Sequence, residues 1–129
     1  MLKLCALNDI PDGKAKGFCV EGPKLAQRLF VIRRGTGAIG YVDVCPHNLS
    51  RLDPLDNAFL TDDGEHICCY IHFALFEIDT GKCIDGPCFG DCLTPCPIKV
   101  EGGDIYLERD NVEVVDELSQ WMSDMAPKA

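Results

Sequence analysis

The chain has 129 residues, the size of one domain, and 47% of them are hydrophobic, enough to build a real core. The formal net charge of −9 argues against nucleic acid, whose phosphates attract a basic face; it suits either plain solubility or partners with basic surfaces. No stretch approaches the roughly 20 apolar residues of a membrane span, and 12 glycines with 8 prolines favour strands and turns over long helices.

Residues 2–7 alternate loosely as a first strand, and Asn8 to Lys16 is turn chemistry. The opening apolar run meets Asn8 and Asp9 too early for a secretory h-region, which predicts a cytoplasmic protein. In that compartment nine cysteines imply metal ligation and free buried thiols rather than disulfides. Phe18-Cys19-Val20 predicts a second short strand. Leu29 to Ile32 is an apolar β run stopped at Arg33-Arg34-Gly35-Thr36-Gly37, and Ile39 to Val44 resumes it. The pair reads as a hairpin that delivers the chain to Cys45.

Residues 48–66 read as loop, with Pro54, Asn57 and an Asp62-Asp63-Gly64 turn. Ile67-Cys68-Cys69 is a short apolar approach. Phe73 to Ile78 predicts a strand, followed by a hairpin turn at Asp79-Thr80-Gly81-Lys82. Residues 85–97, rich in Gly, Pro and Cys, predict no regular element. Ile98-Lys99-Val100 and Ile105-Tyr106-Leu107 form a closing hairpin around Glu101-Gly102-Gly103-Asp104. From Asn111, the residues Val112, Val115, Leu118, Met122 and Met125 recur at helical spacing among acidic residues. This predicts a short acidic amphipathic helix or tail over 111–129, packed on the β domain or held for a partner.

The chemistry lies in Cys45-Pro46-His47 and Cys69-Tyr70-Ile71-His72. Each motif offers one thiolate and one imidazole. Two sulfurs and two nitrogens suit tetrahedral zinc or a mixed Cys/His iron–sulfur cluster; Cys-x-His is tighter than usual zinc-finger spacing. His66 is expected at a solvent-facing strand start. Cys83, Cys88, Cys92 and Cys96 match no iron–sulfur run and are expected as free thiols, with a local disulfide or a second metal as the alternatives. Arg51, Asp53, Asp56, Asp62 and Asp63 lie between the motifs, as a solvated loop or a docking surface. A phosphate loop, a GxSxG elbow and an HExxH motif are all missing from the sequence, so the chain is not expected to be an enzyme by itself.

The order of Val44-Cys45-Pro46-His47, Ile67 through Phe76, Thr80-Gly81 and the Pro97–Tyr106 hairpin resembles the Rieske-type [2Fe–2S] proteins over about Leu2 to Glu108. Within that family it resembles the ferredoxin components of aromatic-ring dioxygenases. The resemblance implies an all-β, antiparallel sandwich or partly closed barrel over 1–110, with a loop-rich cluster-binding lobe at about 44–97. It implies one [2Fe–2S] cluster per chain, with Cys45 and Cys69 on one iron and His47 and His72 on the other. Family spacing selects Cys69 over Cys68. Imidazoles in place of two thiolates raise the potential to about −150 to +300 mV, against about −400 mV for plant-type clusters.

High-potential members carry a loop disulfide and two hydroxyl donors. The corresponding positions here are Ser50 and Ile71, then Ala74 and Phe76, which implies the lower part of that range. Leu49 and Phe73 stand where the family usually has glycine. The implied role is a monomeric carrier between a flavin reductase and a terminal oxygenase, with neither nucleic acid nor membrane as partner. The alternatives are a small subunit of a nitrite-reductase-like complex and a metal-stabilised structural or regulatory module.

Overall fold

The computed structural model describes residues 1–23, 25–44, 59–69, 74–87 and 89–115. Eleven strands and one 3-10 turn, Leu7–Asp9, make up the regular structure of these residues. None of the described residues forms a helix long and apolar enough to cross a membrane.

Three antiparallel sheets result. The first places β10 (Asp104–Leu107) between β1 (Leu2–Ala6) and β9 (Ile98–Glu101). In the second, β3 (Leu25–Arg34) is central. It pairs with β2 (Ala15–Gly22) on one side and with β4 (Gly37–Val42) on the other. β11 (Glu113–Val115) extends this sheet beyond β2, and β8 (Pro95–Cys96) extends it beyond β4. The third is a small meander of β5 (His66–Cys69), β6 (Ala74–Glu77) and β7 (Cys83–Asp85). Among the described residues the sheets stack and do not close into a barrel, which agrees with the expected antiparallel all-β fold and favours its sandwich form.

The apolar run on β3 explains the stacking. Side chains alternate along a strand, so Leu29 and Val31 face one way and Phe30 and Ile32 the other. All four have 0% exposure. Leu29 and Val31 join Leu4, Leu7, Ile10, Val20, Ile105 and Leu107 in a core against the first sheet. Phe30 and Ile32 join Tyr41, Phe59, Ile67, Phe76 and Leu93 in a second core against the meander. An uninterrupted apolar run is what a strand buried on both faces requires.

Two sequence expectations change here. Residues 113–115 open the predicted C-terminal helix, yet they form β11. Asn111 takes a left-handed backbone (φ 62°) and turns the chain back along β2, with Val114 opposite Val20 and Val115 opposite Cys19. Gly22 makes the approach possible, because a Cβ there would lie 2.3 Å from the Asn111 carbonyl oxygen. Consecutive valines favour strand over helix once a sheet edge is available. The rest of the predicted helix, 116–129, lies outside the described residues. The second change is in 85–97, which contains the short strand β8 and the end of β7.

Candidate metal centre

The chain approaches the first motif from the end of β4. The Val42 N–H donates to the Thr94 carbonyl at 2.8 Å, Asp43 N–H to Arg28 at 2.9 Å, and Val44 N–H back to Val42 at 2.9 Å. Asp43 is buried. Cys45 and His47 follow directly and lie outside the described residues, as do Leu49, Ser50, Arg51, Asp53 and Asp56.

The second motif begins at the last residue of β5. Cys69 is a free thiol with 0% exposure, and its cross-strand partner is Ala74. His72, Ile71 and Phe73 lie outside the described residues. Cys69 shares the second core with Tyr41 of β4, so both approaches to the motifs are anchored in one cluster of buried side chains.

Strand alternation separates the two adjacent cysteines. Cys69 sits with Ile67, Ala74 and Phe76 in the core, whereas Cys68 pairs with Leu75 on the opposite face. Burial pushes the Cys68 thiol above its ordinary value, with the neighbouring Cys69 adding to the effect. Cys68 therefore keeps its proton.

A third wall comes from the segment after β7. Phe89 N–H donates to Gly86 at 3.2 Å, Gly90 N–H to Cys83 at 3.2 Å, and Cys83 N–H to Asp91 at 2.7 Å. Gly86 has φ 105°, and a Cβ on it would lie 2.8 Å from the Ala74 Cα. Only glycine combines that backbone with that approach. The loop thus lies on the backbone of the residue opposite Cys69. Composition at 85–87 signals a turn, but not this contact.

Tyr41 ties the lobe to the large sheet. Its hydroxyl donates to the Ile78 carbonyl at 2.6 Å, and its ring lies 5.9 Å from Phe30. Burial, then the negative charge of Asp79, raises the phenol above its ordinary value, so it stays a donor. On the surface, Arg34 at the end of β3 pairs with Asp79 at 3.2 Å.

The described part of the site fits a cluster ligand. A wholly buried thiol without a disulfide stands at a strand end, beneath a close-packed loop. Coordination to iron is what stabilises a thiolate in such a place. The other candidates are dispersed. Cys83 and Cys96 are buried and Cys92 is exposed; the Cys83 Sγ donates to the Asp85 carbonyl at 3.2 Å, and Cys88 lies outside the described residues. Among the described residues, the one grouping of three possible metal ligands is Asp63, Glu65 and His66. His66 starts β5, as expected, but is half-buried rather than fully solvent-facing. Asp63 is already engaged by the Thr61 hydroxyl and the Glu65 N–H, and these hydrogen bonds lower its carboxyl below the ordinary value.

Comparison with known proteins agrees with this layout. The model of the Rieske [2Fe-2S] domain matches residues 1–111. The chain is 32% identical over 104 residues to the ferredoxin component of the naphthalene 1,2-dioxygenase system of Pseudomonas aeruginosa, covering 80% of this chain and 89% of that one. It is 34% identical over 104 residues to the ferredoxin subunit of 3-phenylpropionate/cinnamic acid dioxygenase of Escherichia coli (strain K12), covering 81% and 89%. A chain from the complex of reduced oxygenase and oxidized ferredoxin in carbazole 1,9a-dioxygenase superposes with a TM-score of 0.64. That match is 27% identical and covers 82% of this chain and 99% of that one. With the domain match spanning both approach strands, the meander and the closing hairpin, the chain belongs to the Rieske [2Fe–2S] domain family.

Proposed function

We propose that this chain is a ferredoxin-type one-electron carrier that accepts electrons from a flavin reductase and delivers them to a terminal oxygenase acting on aromatic rings. One observation carries the reading. The identity of 32% and 34% extends over 89% of the length of ferredoxin components of aromatic dioxygenase systems. These two matches run over nearly the whole length of the carriers themselves.

In this reading Cys45 and Cys69 hold one iron as thiolates, and His47 and His72 hold the other as neutral imidazoles. When bound, the [2Fe–2S] cluster supplies a one-electron couple. The protein's part is to exclude water and to set the hydrogen bonding around the sulfurs. Ala74 and Phe76 are wholly buried and have no side-chain donor, which supports a potential in the lower part of the Rieske range. Cys5, Cys19, Cys68, Cys69, Cys92 and Cys96 are free thiols, which favours a reducing, cytoplasmic setting. The net charge of −9 favours partners with basic faces. Residues 1–110 are the cluster-bearing domain, with the lobe at about 44–97.

Electron paramagnetic resonance with redox titration tests the proposal. The expected result is a rhombic signal on reduction and a midpoint in the lower part of about −150 to +300 mV. A colourless, silent protein containing zinc overturns the carrier reading. A midpoint well above zero overturns the low-potential part alone.

A further inference from the structure

The loop after β7 carries an aromatic side chain that the fold does not use. Phe89 is 73% exposed. The other exposed large hydrophobics among the described residues are Met1, beside β1, and Val114, on β11. Phe89 alone of the three stands on the loop that packs over the strand opposite Cys69. We propose that Phe89 is the apolar anchor by which this chain docks on the oxygenase that takes its electron. The inference rests on the carrier reading above and assigns the partner's face an apolar recess with a basic rim.

Three observations support it. The loop is held in place: Phe89 N–H bonds to Gly86, Gly90 N–H to Cys83, Cys83 N–H to Asp91, and Leu93 N–H to Gly81 at 2.8 Å. Little ordering remains to be done when a partner arrives, and an aromatic ring has only two torsions to fix. Position is the second. Gly86, three residues earlier, rests on Ala74, the cross-strand partner of Cys69, so the anchor marks the end of the lobe where the cluster would lie. Charge is the third. Asp85 and Asp91 are exposed on either side of Phe89, and Glu77, Asp79 and Lys82 complete the charged residues of this stretch. An aromatic centre with a charged rim is the usual anatomy of an interface hot spot. The acidic rim selects a basic partner and speeds encounter.

The test is stopped-flow transfer from dithionite-reduced protein to oxygenase, without any reductase. The probes are the oxygenases of the naphthalene 1,2-dioxygenase and 3-phenylpropionate/cinnamic acid dioxygenase systems. Phe89→Ser is expected to lower the second-order rate constant about tenfold or more, with visible spectrum and midpoint potential unchanged. Phe89→Tyr should recover most of the rate, and Val114→Ser should match the native protein. Asp85→Asn with Asp91→Asn should flatten the dependence on ionic strength. A native rate for Phe89→Ser overturns the proposal and leaves the carrier reading standing. So does a slow variant whose potential has moved, which would make Phe89 part of the cluster's surroundings. A native dimer that Phe89→Ser converts to monomer also overturns it, with a second copy as the occupant. Failure of the native protein to reduce either oxygenase overturns both the proposal and the carrier reading.

Discussion

The two cores of the molecule are built from one strand and serve different ends. The core between the first and second sheets is mainly aliphatic, with Phe18 its one aromatic member. Its cysteines behave as small hydrophobes: burial raises the Cys5 thiol above its ordinary value and pushes Cys96 up to about 11. The core between the second sheet and the meander contains Phe30, Tyr41, Phe59 and Phe76, with Phe30 and Phe59 stacked at 4.4 Å between ring centroids. It also contains Cys69. One of its two layers, the meander, is made of short strands and turns, and large rings fill the space against it.

Substitutions can break that contrast at matched positions. The largest effect is expected from Cys69→Ser, which should abolish cluster incorporation, read as iron per chain and as loss of the reduced-state resonance. Cys96→Ala, in the other core, should retain full iron content. Equal loss from both would erase the distinction between ligand and filler. Next comes β3 itself. Phe30→Ala should cost about 3–5 kcal/mol, and Leu29→Ala on the opposite face about 2–5 kcal/mol. Denaturant melts should show both, but only Phe30→Ala should also reduce iron occupancy. The smallest effect is expected from Tyr41→Phe, which leaves the buried Ile78 carbonyl without its 2.6 Å partner. A loss of about 1–3 kcal/mol, seen in thermal melts, would establish the hydroxyl as the tie between the lobe and the large sheet.

Much of this was legible in the sequence, for reasons that are local. Alternation and turn residues mark β4, β6 and the closing β9–β10 hairpin within a residue or two. Other features depend on tertiary partners. Leu25 to Arg28 lacks a clear β pattern, yet it pairs with β2 as part of β3. Val112 and Val115 fit a helical period, but Gly22 and the free edge of β2 draw residues 113–115 into the sheet. The meeting of Gly86 with Ala74 is invisible in one dimension, because it joins two turns through a distance rather than a motif. The exposed ring of Phe89 is equally hidden, since sequence alone would assign a phenylalanine to the core.

The edges of the large sheet have a practical consequence. Its outermost strands are β11, with three residues, and β8, with two. Pro95, one of the two residues of β8, has no N–H to offer. A long, unprotected margin on β2 or β4 would invite other chains to add to the sheet, the usual route from β protein to aggregate. Here β11 covers Cys19 to Glu21 of β2 and β8 covers Gly40 and Tyr41 of β4, so part of each margin is closed by a strand too short to template further pairing.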